Sequence, residues 1–403
     1  MVERFGRHAN VNFQYIPPET FEKTVTISPV GGNYKTIQAA LDANPTEFTL
    51  FQVYPGVYDK DTVHFTANNQ SVIGLDNSTT QILGSVTTNV VDFGAYTGCV
   101  MNRLTVRITG ATSIVHTVTG TTGSLIINDC TLEMTNASVV GDTQPSVINI
   151  AGAGTCTVEF GFINYTNTVA VTNPLVAVKS AIRLGTGSFV NLRRGRAVIN
   201  CSGVSLGTTL AYGATTGEFS ANRTTIDITD PDSTYVVGFY IVGSSIADEF
   251  INCDIHVTGA GKTAIGVWNN GTGSIRLHGN TIHVVAAGGT ANSFMIVAGA
   301  TIVSMFNDII AAAGVSNAGT YTTNMIMGGA AAAVADGDPI VHGLGTTPTW
   351  VNVTPSDATT ADHISVNTIG ALHFHVAIKK VVHGEPITYA AGTTQTIYWT
   401  CGV

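Results

Sequence analysis

The sequence predicts an all-β fold: a parallel β-solenoid with an N-terminal capping helix and a C-terminal antiparallel β-domain. Composition, an internal repeat and a change of rhythm near residue 310 support it. Only 11% of the 403 residues are charged, against about 25% in a typical soluble domain. Glycine accounts for 44 residues. Few charges, many glycines and abundant Val, Ile and Thr are typical of short strands joined by tight corners.

The repeat is visible in "FINCDIHVTG" at 250–259 and "LHGNTIHVVA" at 277–286. Short alternating strands follow a small residue at seven places, which we align on Asn102, Cys130, Ser202, Thr224, Cys253, Asn280 and Asn307. If the long gap before Ser202 holds two turns, the spacing is 22 to 36 residues, which is typical of a parallel β-solenoid. A β-sandwich or propeller with coincidental spacing is the alternative.

Stacked turns place like residues in columns along the solenoid axis. We therefore expect the isoleucines that recur in the repeat to stack inside the coil, namely Ile226, Ile255, Ile282 and Ile309.

Side chains alternate across a strand, so a residue between two inward apolar neighbours points outward. Four chemically active residues lie in such positions: Glu133, Asp227, His256 and His283. We predict that they form one outer column and take them as candidates for binding a glycan. The alternative is a solvated face or a seam between subunits. Cleavage of a glycan would need paired carboxylates about 5 to 9 Å apart, and no complete set is legible, so no catalytic residue is assigned.

The N-terminal stretches "ISPVGGNYKTIQAALDA", "FQVYPGVYDKDTVHF", "NNQSVIGLD" and "TTQILGS" resemble the opening turns of pectinesterase and pectin-lyase-like proteins. The resemblance covers residues 27–84. It implies a right-handed parallel β-helix whose open end is covered by a short helix, here expected over Tyr34 to Asp42. The esterase catalytic residues do not carry over, because only Asp248 and Glu249 in "ADEFINC" echo one of their motifs.

The C-terminal stretches "HGLGTTPTWVNVTPS" and "IYWTC" resemble the small β-domains found at the end of bacteriophage tail fibres, tail spikes and other virion proteins. Four segments are therefore expected. Residues 1–26 form an N-terminal arm for virion attachment, 27–325 the β-helix, 326–335 an Ala/Gly-rich linker, and 336–403 a sandwich-like β-domain.

This order of segments resembles phage tail-spike and tail-fibre proteins, which implies a homotrimer attached to other virion proteins through its N-terminal arm. The low charge supports a trimer independently, because side-by-side packing would cover large uncharged faces. We expect a structural virion protein that binds host surface polysaccharide. A depolymerase or esterase on the same fold is one alternative, and a capsid decoration or head-fibre protein without glycan binding is another.

Charge and hydropathy argue against other partners. The net charge of −9 includes no basic stripe, which argues against nucleic acid. No apolar run approaches the roughly 18 residues of a membrane helix, and the first 20 residues lack the apolar core of a secretory signal. We therefore expect synthesis in the host cytoplasm and incorporation into the virion. The six scattered cysteines are expected to be small buried hydrophobes.

The motif "GALHFHVAI" at 370–378 suggests a metal site. His373 and His375 alternate with apolar residues, so both are expected on one strand face. On a three-fold axis, six imidazoles from three chains would suit a transition-metal ion. A plain polar strand face is the alternative.

Overall fold

The structure, a computed structural model, describes residues 21–402 with gaps. The gaps are 111–114, 136–144, 170–177, 203–206, 214–216, 243–247, 261–262, 306, 312–314, 318–319, 325, 335–338, 342–349, 356–361, 371–372 and 381–394. Most of the expected N-terminal arm, residues 1–20, lies outside the described residues.

Strands dominate the described chain. One helix, α1 (Ile37–Ala43), follows the first strand, and the strands of the coil are β1 (Lys23–Ile27), β2 (Thr49–Val53), β3 (Gly56–Asp59), β4 (Val63–His64), β5 (Ser71–Gly74), β6 (Thr80–Leu83), β7 (Val91–Asp92), β8 (Cys99–Asn102), β9 (Thr105–Thr109), β10 (His116–Gly120), β11 (Ser124–Asn128), β12 (Thr131–Thr135), β13 (Ser146–Ile150), β14 (Thr155–Glu159), β15 (Phe162–Asn167), β16 (Val178–Leu184), β17 (Phe189–Arg193), β18 (Arg196–Cys201), β19 (Gly207–Gly213), β20 (Glu218–Asn222), β21 (Thr225–Asp230), β22 (Tyr235–Ile241), β23 (Asp248–Ile251), β24 (Asp254–Ala260), β25 (Thr263–Asn269), β26 (Ser274–His278), β27 (Thr281–Ala287), β28 (Thr290–Ile296), β29 (Thr301–Met305), β30 (Asp308–Ala311), β31 (Val315–Asn317) and β32 (Thr320–Asn324). The C-terminal strands are β33 (Ile326–Val334), β34 (Pro339–Val341), β35 (Trp350–Pro355), β36 (Asp362–Ile369), β37 (His373–Lys380) and β38 (Gln395–Gly402).

The strands of the coil form three parallel sheets. Sheet A has 12 strands in the order β1-β2-β5-β8-β11-β14-β17-β20-β23-β26-β29-β32, sheet B has ten strands from β3 to β30, and sheet C has ten from β4 to β31. From β2 onward each turn of chain contributes one strand to A, then B, then C, and every pairing within the three sheets is parallel. The predicted parallel β-solenoid is confirmed.

The interior is built from stacked apolar columns. Ile226 pairs with Ile255, Ile255 with Ile282, and Ile282 with Ile309, and all four are buried. The predicted isoleucine ladder is therefore confirmed. Complete burial of an aliphatic side chain of this size contributes about 1.5–3 kcal/mol, so a column repeated on every turn stabilises the coil along its whole length.

The bend from sheet A to sheet B has one backbone conformation in seven successive turns. One residue of each bend has a positive φ of 49° to 65°: Arg103, Asp129, Phe160, Arg194, Arg223, Asn252 and Gly279. The next residue is buried in six of these turns. At the C-terminal end these buried residues are asparagines, and Asn280 Nδ2 donates to Asn307 Oδ1 at 2.8 Å.

Two positions of our alignment are wrong. The residues that occupy the bend in those turns are Leu104, two residues after Asn102, and Gly195, seven residues before Ser202, because they directly precede β9 and β18. Ser202 instead follows β18, and its backbone N–H donates to the Asn167 carbonyl. Loops of unequal length between sheets shift the phase of the repeat without changing the stacking.

The capping helix is shorter than expected. It begins at Ile37 rather than Tyr34, because Thr36 is its N-cap and Tyr34 bridges to Ile27 instead. The Asp61 carboxylate accepts from the backbone N–H of Ile37 at 2.6 Å, which satisfies a helix-end donor. Ile37, Ala40 and Leu41 are buried in the same core as the first turns, so the helix closes the apolar interior at this end.

The C-terminal strands form two antiparallel three-stranded sheets, β33-β38-β35 and β34-β37-β36. The segment expected to be a linker at 326–335 instead contains β33, which pairs with β38 from Ile326↔Gly402 onward. The last residues of the expected arm likewise belong to β1, which pairs with β2. Small residues can enter a sheet when a distant partner strand supplies the hydrogen bonds, and local sequence does not show that partner.

Candidate functional site

The four predicted site residues lie in one column on the outside of sheet B. The register runs through the turns as Arg107, Glu133, Asn164, Val198, Asp227, His256 and His283. We call these seven residues the polar column. The structure divides its candidates into two groups, since two uncharged residues separate Glu133 from Asp227.

Glu133 is held by its neighbour on the preceding turn. Its carboxylate forms an ion pair with Arg107, and it is the more buried partner of the two. An arginine-paired carboxylate is already neutralised and hydrogen-bonded. Glu133 is therefore a structural member of the column rather than a free base.

Asp227 is the centre of the second group. Arg196 Nη2 lies 3.0 Å from Asp227 Oδ2, and His256 Nδ1 lies 3.3 Å from Asp227 Oδ1. His256 Nε2 also contacts Asp254 Oδ1 at 3.0 Å, a carboxylate that the sequence analysis did not single out. The His283 ring meets His256 edge-on at 5.7 Å.

The chemistry of this group favours binding over bond cleavage. A pair of glycosidase carboxylates needs the space between them for the sugar and water, whereas here the His256 imidazole contacts one carboxylate with each nitrogen. An imidazole can donate to both only in its protonated form. The group therefore presents charged donors and acceptors on an exposed face, where each ion pair contributes little to stability.

A second outer feature, on sheet C, was missed by the sequence analysis. Tyr212, Tyr240 and Trp268 occupy the same register position on three successive turns. Their rings pack in series, with centroids 5.5 Å apart for Tyr212–Tyr240 and 4.6 Å for Tyr240–Trp268. The Arg183 guanidinium, one turn earlier, lies 5.8 Å from the Tyr212 ring centre. The result is a continuous aromatic strip along the coil axis.

A cavity of about 200 Å³ opens beside this strip. Its lining comprises Val178, Gly207, Thr208, Thr209, Tyr235, Val237, Tyr240 and Trp268. We call the strip and the cavity together the aromatic channel. Val237 and the adjacent Ile265 are buried but do not belong to the interior core, which indicates that they form an apolar floor on the outer face of the sheet.

The channel is held in place by local contacts. The Tyr235 and Trp268 rings pack at 4.9 Å, and Asn270 Nδ2 donates to Tyr240 Oη at 3.1 Å. Burial raises the pKa of Tyr240 above its ordinary value, so its hydroxyl stays protonated. Rigid aromatic walls on a sheet are preorganised for a flat ligand, because little side-chain entropy is lost on binding.

A signal for the channel was present in the sequence. Tyr212, Tyr240 and Trp268 recur at intervals of 28 residues, which matches the repeat of the isoleucine ladder. A search for aromatic residues at the period of the repeat would have found the strip. The cavity itself depends on several turns at once and has no such signal.

The predicted metal residues are in β37. His373 pairs with Val341 and His375 with Pro339, on either side of the buried Phe374. Within the described part of the chain, no cluster of three or more His, Cys, Asp or Glu side chains has metal-binding geometry. The five described cysteines, Cys99, Cys130, Cys156, Cys201 and Cys253, are buried. Over the described residues, no helix is long and apolar enough to cross a membrane.

Comparisons with known proteins identify solved β-helix structures that match the chain. No protein-family model and no curated protein matches it. The Dettilon tailspike protein matches with 9% identity over 94% of each chain and a TM-score of 0.34. A tailspike mutant of E. coli bacteriophage HK620, solved with a hexasaccharide, matches with 9% identity over 94% of this chain and 87% of that one, at a TM-score of 0.33. The mannuronan C-5 epimerase AlgE6 A-module of Azotobacter vinelandii matches with 14% identity over 72% of this chain and 91% of that one, at 0.32. Phage tailspikes and polysaccharide-modifying β-helix proteins are thus among the chain's structural neighbours, and the assignment of its own fold rests on its strand pairing.

Proposed function

We propose that the chain is a structural virion protein of a bacteriophage, of the tail-spike or tail-fibre type, which assembles as a homotrimer and binds host surface polysaccharide. The observation that carries this proposal is the aromatic channel. Long glycans expose C–H faces as well as hydroxyl groups. The negative face of an aromatic ring attracts the weakly positive C–H side of a sugar.

The repeat of the coil suits an extended ligand. The rings of Tyr212, Tyr240 and Trp268 follow one another along the axis at 5.5 and 4.6 Å, so a polymer can contact several turns at once. The polar column of sheet B offers hydrogen-bonding groups in the same periodic way. Many weak contacts spread along one chain add to a useful avidity.

Binding to a panel of purified bacterial capsules and O-polysaccharides tests the proposal. We expect the wild-type protein to retain at least one of them, and Trp268→Ala to weaken that binding by about tenfold or more, because a buried aromatic contact is lost. The matched control is Phe160→Asn, which removes an exposed aromatic residue outside the channel at a φ of 51°, a conformation that asparagine tolerates. Binding of no polysaccharide in the panel, or equal binding by Trp268→Ala, would contradict the proposal.

Cleavage of the bound glycan is a second candidate function. The observation in its favour is the contact of Asp227 with both Arg196 and His256. Release of new reducing ends or unsaturated sugars by the wild-type protein, abolished in Asp227→Asn or Glu133→Gln, would establish it. We expect no such products, because His256 bridges Asp227 and Asp254.

A capsid decoration or head-fibre role uses the same architecture without glycan binding. Immunogold labelling of intact particles separates it from the proposed role. Label at the tail supports a spike or fibre, whereas label over the capsid together with no binding to polysaccharide would favour the decoration role.

A further inference from the structure

The cavity of the aromatic channel exists because one turn lacks a side chain. Val178, Gly207 and Tyr235 follow one another in the same outer register position. A Cβ atom built on Gly207 would meet nothing closer than the Tyr235 carbonyl oxygen at 3.5 Å, which is ordinary contact. The glycine therefore leaves a hollow between an aliphatic and an aromatic wall, and its backbone does not require a glycine.

The lining of the hollow is apolar, because its polar groups are already engaged. The Thr208 hydroxyl contacts the Asp230 carboxylate and lies 3.2 Å from the Ser233 hydroxyl. The Thr209 hydroxyl donates to the Ala211 carbonyl at 2.9 Å. The indole nitrogen of Trp268 is shielded from solvent, so it presents no accessible donor to a ligand.

These contacts set the chemistry of the part of the ligand that enters. A hydroxyl group placed among Val178, Val237 and the aromatic rings would lose its water hydrogen bonds without replacement, which is unfavourable. A methyl group would instead gain burial. The volume also fits, since an apolar cavity of about 150 Å³ binds benzene and the hollow measures about 200 Å³.

We propose that the hollow binds a methyl-bearing pyranose of the host glycan. The C–H face of the sugar packs on Trp268 and Tyr240, and the methyl group points to Val178 and Val237. This assignment rests on the proposed function and adds the sugar class to it. Two kinds of sugar share this chemistry, the 6-deoxyhexoses and the N-acetylhexosamines, and the test distinguishes them.

The experiment measures sugar binding to the full chain by NMR titration and saturation transfer. The probes are matched pairs that differ in the methyl-bearing group: L-rhamnose with L-mannose, L-fucose with L-galactose, and N-acetylglucosamine with glucose. We expect a methyl-bearing sugar in one pair to bind about tenfold to a hundredfold more tightly than its partner. The strongest saturation transfer should reach its methyl protons. The pair that shows the preference identifies the kind of sugar.

Gly207→Leu fills the hollow and should abolish the preference, with Gly207→Ala intermediate. The matched control is Thr263→Leu, which adds the same bulk in the same outer register position, one turn beyond Tyr235. Circular dichroism and thermal unfolding verify that the variants fold, and the wild-type preference stands as an independent readout.

The outcomes separate the two proposals. A methyl preference that Gly207→Leu removes and Thr263→Leu retains supports the assignment. Polysaccharide binding without any methyl preference, or a preference that Gly207→Leu leaves unchanged in a folded protein, overturns the assignment and leaves the proposed function standing. Absence of binding to every polysaccharide and sugar overturns both.

Discussion

Two ionisable side chains, Lys179 and His116, are buried in the coil by contacts that satisfy them. Lys179 is fully buried, and its Nζ donates to the carbonyls of Asn167 and Val169 at 3.2 Å and to that of Ser202. His116 Nδ1 accepts from the Ser146 backbone N–H at 3.3 Å and contacts its hydroxyl at 2.9 Å. Buried polar groups of this kind are stable only while their partners remain.

His116 makes stability depend on pH. Burial, together with the nearby Arg183 guanidinium, lowers the pKa of His116 to about 4, whereas in the unfolded chain it is about 6.5. The folded state therefore binds fewer protons, and its stability falls as the pH drops from about 6.5 to about 4. The difference between the two pKa values corresponds to about 3 kcal/mol. Denaturant unfolding at several pH values measures it.

The control for this prediction is His116→Gln, in which no imidazole titrates. The difference in unfolding free energy between wild type and variant should shrink or reverse as the pH falls through this window. A difference that is constant from pH 7 to pH 4 would contradict the buried neutral imidazole.

Lys179 should be required for stability. Lys179→Met removes the donors of three backbone carbonyls, and a buried carbonyl without a partner costs about 1–3 kcal/mol. We expect a loss of about 2–4 kcal/mol in the free energy of unfolding, measured by denaturant titration, since part of the cost is offset when the ammonium group no longer has to be desolvated. Lys23→Met, at an exposed position, should change little. Equal stability of Lys179→Met and wild type would show that the desolvation of the ammonium group cancels its hydrogen bonds.

At the scale of the element, the strand pairs are joined by bends that force one residue into the left-handed region. Arg223 and Asn252 both have φ of 51° in successive turns. A non-glycine residue there costs about 1 kcal/mol, and a β-branched residue more. The bend is tolerated because the strands on both sides are fixed by their neighbours in the sheet.

Arg223 tests this conformation, since it is exposed. Arg223→Gly should raise the free energy of unfolding by up to about 1 kcal/mol, because glycine adopts positive φ without strain. Arg223→Val should lower it by about 1–2 kcal/mol. Thermal and denaturant unfolding of the three proteins measures the order. A more stable Val variant than Gly variant would contradict the bend geometry.

At the scale of the whole molecule, the proposed trimer follows from the surface of the coil. A chain with 11% charged residues leaves long uncharged faces, which subunit contacts would cover. We expect light scattering to give about three times the chain mass of 41.9 kDa. A stable monomer at micromolar concentration would contradict the proposal.

The trimer also decides the proposed metal site. If His373 and His375 of three chains meet on the axis, the purified trimer should contain about one transition-metal ion per three chains, measured by elemental analysis. The double variant His373→Ala/His375→Ala should lose the ion, whereas His363→Ala, on the neighbouring strand β36, should keep it. Clearly less than one ion per three wild-type chains would remove the idea.

The sequence by itself determined the coil and the composition of its columns. A side-chain period of two within each strand, combined with a repeat near 27 residues, was enough to place Ile255 on Ile282 and His256 on His283. Both are local rules, because each turn stacks directly on the one before it. The same rules predicted that Asp227 precedes His256 in the outer column.

Only the tertiary structure decided the contacts that depend on several turns or on distant strands. The phase of the repeat near Gly195 was set by loop lengths, and β33 became a strand because β38, some 70 residues later, pairs with it. The hollow at Gly207 needs Val178 before it and Tyr235 after it. The physical reason is that a cavity is the absence of a side chain among neighbours brought together by stacking, and no single stretch of sequence contains those neighbours.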